Sequence, residues 1–257
     1  MAPWPRRPQG RVERVPVGPE SPGLDRDLAV YLPPSYDAAA RRYPVLYMQD
    51  GQNLFDPEAS FAGSWRVDRA MNWAAARRLE GIVVGVPNAR EERIAEYSPF
   101  DDPEGSPGGG ADYVSRLAGV IKPLVDARFR TLPQRETTGV AGSSMGGLIS
   151  LFAFFTRPDA FGVVGALSPS LWFAERAIFG LLDAAPFRPG RLYIDVGRLE
   201  GAETLEHARR LRDLLRAKGY IQGVHLRYVE DRAGRHDEAA WGRRFRAALP
   251  FLLPSSE

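Results

Sequence analysis

The segment from Thr137 to Leu148 constrains this chain more than any other. A β-type stretch leads into Gly142, Ser144 and Gly146 at alternate positions. An apolar stretch then follows, Leu148 to Phe155, which suits a buried helix ending near Arg157 and Pro158. That spacing has the form of a nucleophile elbow, in which a serine rides a strained strand-to-helix turn above a sheet. Glycine is needed on either side because a Cβ there would collide with the neighbouring strand or helix. The register selects Ser144, not Ser143. A Gly-x-Ser-x-Gly string can arise by chance in a chain with 26 glycines, so its weight comes from the strand before it and the helix after it.

Eight strands are expected, over 11–16, 27–32, 43–49, 81–86, 137–141, 163–167, 191–196 and 224–229, with helices over 67–78, 112–129, 145–156, 173–182, 202–218 and 238–249. From the third strand onward, strand and helix alternate. This argues an α/β fold with a mostly parallel central sheet of about eight strands, flanked by helices on both faces. The first two strands lack a helix between them and should pair antiparallel. Residues 1–24, rich in proline and arginine, read as an irregular N-terminal arm with the first strand inside 10–17, and residues 25–257 read as one domain. No internal repeat or linker is visible, and 257 residues can bury most of the apolar surface of one such domain.

A serine nucleophile needs a base, and there are three histidines. His207 falls on or beside the polar face of a helix whose apolar positions are Leu205, Ala208, Leu211 and Leu215. His225 falls in an alternating strand and shares a face with Arg227. His236 lies in a loop between the last strand and the closing helix, with Asp237 as its N-cap, where a base can project over the sheet edge. His236 is therefore the candidate base.

In chain order the acid should lie between Ser144 and His236. Glu200, in the loop just past the strand that starts at Arg191, is the first candidate, and Asp195 within that strand is the runner-up; Asp231 and Asp237 are weaker. Whichever acts, its work is to fix the imidazole tautomer and stabilise the imidazolium. Two backbone N–H groups should hold an oxyanion: that of Met145, where the helix dipole favours negative charge, and that of Gln52, after the Asp50-Gly51 turn that follows the third strand. The longest irregular insertion, 87–110, carries Tyr97 and Phe100, which with Trp172 are candidate substrate-binding aromatics at the carboxyl ends of the strands. Trp65 reads as packing, and Gly108 to Gly110 as a flexible hinge without a phosphate-binding motif around it.

Several segments together resemble the putative esterase family, which contains esterase D, enterochelin esterases, feruloyl esterase domains and mycolyltransferases of the antigen 85 type. They are Tyr31 to Asp37, Tyr43 to Gln52, Ala141 to Gly147, Leu167 to Trp172 and His236 to Trp241. The likeness spans about residues 10 to 253. It implies an α/β-hydrolase fold with no metal or organic cofactor, Ser144 as nucleophile, His236 as base, and Gln52 and Met145 as oxyanion donors. Members differ in the acid, and some siderophore esterases work with a Ser-His dyad.

The formal charge is only +2, and all but Lys122 and Lys218 of the 34 basic side chains are arginine. The arginines are interleaved with acids, a solvated face rather than a nucleic-acid track. With no cysteine, disulfides and thiolate metal sites are excluded. No stretch has the length of a signal-peptide core or a membrane span, so the expected location is the cytoplasm. The expected partner is a small-molecule ester, with self-association into a homo-oligomer left open. A serine carboxylic-ester hydrolase is the leading reading; a siderophore lactone hydrolase, an acyltransferase to a sugar alcohol and a non-catalytic binding module are the rivals.

Overall fold

The computed structural model describes residues 9–18, 26–58, 60, 63–101 and 107–253. Most of the arm expected over 1–24 lies outside them. Among the described residues eight strands build one sheet: β1 (Arg11–Val15), β2 (Leu28–Leu32), β3 (Val45–Met48), β4 (Ile82–Gly85), β5 (Thr138–Ser143), β6 (Val163–Leu167), β7 (Arg191–Gly197) and β8 (Leu226–Asp231). Their spatial order is β1-β2-β4-β3-β5-β6-β7-β8. β2 pairs antiparallel with β1 and with β4, and every neighbouring pair from β4 across to β8 is parallel. The helices are α1 (Val67–Ala75), α2 (Arg93–Tyr97), α3 (Gly110–Arg116), α4 (Lys122–Arg128), α5 (Met145–Thr156), α6 (Phe173–Ala184), α7 (Ala202–Ala217) and α8 (Glu238–Leu252).

Both faces of the sheet are covered, and successive strand residues divide between them. Val45, Tyr47, Val140, Val164 and Ile194 join the cluster that includes α5 and residues of α3, α4, α6 and α7. Leu46, Met48, Ala141, Leu167 and Tyr193 join the cluster with α1 and α8. Every residue from Met145 to Phe155 is buried, which is why α5 is apolar on all sides. Each of its buried Leu, Ile or Phe side chains contributes ~1.5–3 kcal/mol of transfer free energy. The helix that carries the elbow is thereby anchored at the middle of the sheet. None of the described helices is long and apolar enough to cross a membrane.

Four expectations need correction. Part of the insertion over 87–110 is folded: a 3-10 turn, Arg90–Glu92, leads into α2. Its anchor is Glu96, a buried carboxylate paired with Arg26 and accepting the Ala89 N–H at 2.8 Å, a tether that hydropathy does not reveal. Gly108 to Gly110 are no hinge. A Cβ on Gly108 would stand 2.6 Å from the Phe100 carbonyl oxygen and one on Gly110 2.7 Å from Ser98 backbone, so these glycines permit close chain contact. His207 is buried, on one stripe with Leu211 and Leu215, its ring 6.3 Å from that of Phe179. His225 precedes β8 instead of lying within it, in a turn beside Phe187 and Tyr220.

Candidate active site

At the elbow, β5 ends at Ser143 and α5 begins at Met145, with Ser144 between them at φ 56° and ψ −124°. A non-glycine residue there costs on the order of 1–3 kcal/mol and persists only where its surroundings over-determine it. Here the Ser144 N–H donates to Leu167 at 3.1 Å, and the Ser144 carbonyl accepts from Gly147, Leu148 and Ser170, each at 3.0 Å. A Cβ on Gly142 would lie 2.7 Å from the Gly146 carbonyl carbon, so the turn closes only with glycine at that position. Asp50 (φ 55°) after β3 and Ser168 (φ 43°) after β6 are also left-handed. β3, β5 and β6 are adjacent, so three strained residues line one end of the sheet.

The candidate base and acid arrive from the loops after β8 and β7. His236 is exposed, and its Nδ1 lies 2.9 Å from Glu200 Oε2. The ring sits edge-on to Trp241, with centroids 4.8 Å apart. Glu200 is closed off from water at its side chain, and its Oε1 accepts from Ser168 Oγ at 2.7 Å, the Gly197 N–H at 2.8 Å and Arg244 Nη1 at 3.1 Å. Burial alone would raise this carboxyl; the bonds from His236 and Ser168, with Arg244 and the Gly197 N–H, outweigh it and hold the group down at about 2. Asp195 does not meet His236. It is fully buried within β7, 3.4 Å from Arg244 Nε, and burial pushes it up to about 7 against the pull of that guanidinium.

The candidate oxyanion corner is assembled around Asp50. Arg93 clamps its carboxylate from two sides, Nε to Oδ1 at 2.6 Å and Nη2 to Oδ2 at 2.8 Å, while Asn88 Nδ2 donates to Oδ1 at 2.6 Å. This fixes the 3-10 turn Gly51–Asn53 that carries Gln52, whose side-chain Oε1 accepts the Asn88 N–H at 3.2 Å. Among the described residues the N–H groups of Gln52 and Met145 make no backbone hydrogen bond outside the helices.

The candidate pocket aromatics separate into three cases. Trp172 is 57% exposed at the start of α6, its ring edge-on to Phe173. Phe100 is half-buried and edge-on to Phe152 of α5. Tyr97 cannot line a pocket: it is fully buried, packs on Tyr113 at 5.2 Å, and its hydroxyl accepts the Asp50 N–H at 3.1 Å. Trp65 is packing, against Trp241 and Phe245.

Three side chains of this site escape a reading of the sequence. Ser170, buried, places its Oγ 3.0 Å from Ser144 Oγ, and among the described residues this is the hydrogen bond that the Ser144 hydroxyl makes. No hydrogen bond between Ser144 Oγ and His236 is formed among the described residues; in unliganded hydrolases such a bond often tightens only with substrate bound. Ser168 Oγ accepts from Trp241 Nε1 at 3.2 Å and Arg244 Nη2 at 2.8 Å while donating to Glu200. Arg244 did leave a signal, since it falls on the apolar stripe of α8 with Trp241, Phe245 and Ala248. Among the described residues no group of three or more His, Asp or Glu side chains is arranged to hold a metal ion.

A wound parallel sheet carrying a strained serine after its middle strand, with a carboxylate–imidazole pair beyond, defines an α/β-hydrolase. The chain belongs to the family described as Putative esterase, whose sequence model matches residues 20–252, and it is an esterase of that fold. It is 27% identical over 243 residues to the uncharacterized protein YbbA of Bacillus subtilis, covering 89% of this chain and 92% of that one. It is 28% identical over 236 residues to the iron(III) salmochelin esterase of Escherichia coli O6:H1, covering 85% of this chain but only 52% of that longer protein. The crystal structure of an IroE-like serine hydrolase from Shewanella oneidensis superposes with a TM-score of 0.73 at 19% identity, over 94% of this chain and 80% of that one.

Proposed function

We propose that the protein is a serine carboxylic-ester hydrolase in which Ser144 is acylated. The observation that carries this reading is the 2.9 Å bond between His236 Nδ1 and a buried, ionised Glu200 at the sheet end where Ser144 sits strained. Glu200 accepts a hydrogen bond from His236 Nδ1–H, which leaves Nε2 as the basic nitrogen. Ser144 turns from Ser170 toward that nitrogen and surrenders its proton as Oγ attacks the ester carbonyl. The Gln52 and Met145 N–H groups stabilise the tetrahedral oxyanion, His236 protonates the departing alcohol, and water repeats the sequence on the acyl-enzyme. The exposed ring of Trp172 and the half-buried ring of Phe100 are the apolar surfaces offered to the substrate.

Intact-mass analysis after fluorophosphonate treatment tests the reading, with p-nitrophenyl esters of graded acyl length as substrates. One adduct on the wild type and none on Ser144→Ala, with ester turnover, is the expected result. No adduct on the wild type would return the protein to the reading of a non-catalytic binding module. The salmochelin esterase relative favours a second substrate class, the ester-linked backbone of a catecholate siderophore. Faster turnover of such a trilactone than of any simple ester would select it. Transfer of the acyl group to an added sugar alcohol in preference to water would instead make the enzyme an acyltransferase.

A further inference from the structure

Arg244 carries an inference that rests on the ester-hydrolase reading and deepens it. Its side chain is 4% exposed and stands between two carboxylates also removed from water, Glu200 at 1% and Asp195 at 0%. Two such anions around one guanidinium are not equivalent. Arg244 donates through Nη1 to Glu200 Oε1 at 3.1 Å and through Nη2 to Ser168 Oγ at 2.8 Å, and the Ser168 hydroxyl in turn donates to the same Glu200 oxygen at 2.7 Å. Of the guanidinium, Asp195 meets Nε, at 3.4 Å, and the Tyr193 side chain and the Ser168 N–H help it without overcoming its burial. A buried carboxylate without sufficient compensation takes up a proton, and this geometry sends the compensation to Glu200.

We propose that Arg244 is a positioning residue for catalysis: it keeps Glu200 ionised, with Oε2 aimed at His236 Nδ1, and leaves Asp195 as the carboxylate that yields. The charged groups around Glu200 are His236 from the loop after β8, Arg244 from α8 and Asp195 from β7. Asp231 at the end of β8 lies beyond Arg244 and is itself paired with Arg243 at 2.7 Å. The opposed shifts of the two carboxyls, Glu200 down to about 2 and Asp195 up to about 7, agree with this division.

The consequence is a pH effect with a definite sign. A positive charge beside Glu200 opposes proton uptake at this carboxylate. Removing Arg244 raises the proton affinity of Glu200, so the pair it forms with His236 is disabled at higher pH. Removing Asp195, pushed up to about 7 and so only partly ionised near neutral pH, does the reverse to a smaller degree.

The test is the pH profile of kcat/KM for a short-chain p-nitrophenyl ester. Arg244→Gln is expected to move the acidic limb up by about one pH unit, and to lower kcat at pH 7 about tenfold with KM little changed. Asp195→Asn is expected to move the limb down or leave it in place. If the unpaired Asp195 keeps Arg244→Gln from folding, the double variant Arg244→Gln/Asp195→Asn removes the guanidinium together with the carboxyl that yields, and is still expected to lie above the wild type because the guanidinium is the larger charge lost. A folded Arg244 variant with an unmoved limb, whether its activity is intact or lowered equally at every pH, overturns the proposal. Ester turnover that survives Ser144→Ala would instead overturn the hydrolase reading beneath it.

Discussion

The elbow and the acid corner of this site are built on opposite principles. The elbow occupies one continuous stretch: β5, Ser144 and the start of α5, with Gly142 and Gly146 closing on each other. The acid corner draws on four separated positions, Ser168 after β6, Glu200 after β7, His236 after β8 and Arg244 inside α8. Steric exclusion shapes the first, while the second is a hydrogen-bonded network whose members meet only when the sheet is complete. A site can therefore announce its candidate nucleophile in a dozen residues and only narrow its candidate acid to a few carboxylates. Their energetics differ too, since backbone hydrogen bonds hold the elbow serine against strain and the corner holds its carboxylate by compensated burial.

Variants on the two sides can break that comparison or sharpen it. The largest effect belongs to the elbow: Ser144→Ala is expected to lower kcat for a p-nitrophenyl ester by on the order of 10⁴ or more. Near-wild-type turnover would remove the elbow from the chemistry altogether. In the corner, Glu200→Gln is expected to cost about 10²–10⁴ in kcat, against less than about tenfold for Asp195→Asn. If that ranking inverts, the acid is Asp195 and the geometry around Arg244 has been misread; a small loss for both would mark a Ser-His dyad.

A smaller effect concerns stability. The Glu200 carboxyl is held at about 2 in the folded protein against an ordinary 4.5. A depressed carboxyl stabilises the fold fully above its unfolded value, and this stabilisation is lost as pH falls from about 4.5 toward about 2. Urea titrations of the wild type and Glu200→Gln should therefore differ most at neutral pH and converge across that acid window. A constant difference at all pH values would mean that Glu200 contributes by packing alone. The least effect is expected at Trp172: with its ring 57% exposed, Trp172→Ala should change unfolding free energy by less than about 0.5 kcal/mol. Its KM for aromatic or long-chain acyl esters should rise a few-fold. An unchanged KM across the series would remove Trp172 from the substrate surface.

Much of the architecture was legible because its signals are local. The alternation of strands and helices from Tyr43 onward, the missing helix between β1 and β2, and the wholly apolar α5 each reflect a period or an omission within a short window. Tyr97 was misread for the opposite reason. An aromatic residue in a long loop is indistinguishable from a pocket residue until Tyr113 and the Asp50 N–H are found beside it. His207 was misread because the polarity of one side chain was weighed above the stripe it shares with Leu211 and Leu215.

The chain by itself determined the class of fold, the serine at its strained turn and the histidine before the last helix. Those features follow from steric limits and hydrophobic periodicity over a few neighbouring residues. Only the tertiary structure decided that Glu200 and not Asp195 touches His236, that Arg244 lies between the two carboxylates, and that Ser170 meets the Ser144 hydroxyl. The reason is that a hydrogen bond depends on tenths of an ångström between groups dozens of residues apart, and no local pattern in the chain encodes that distance.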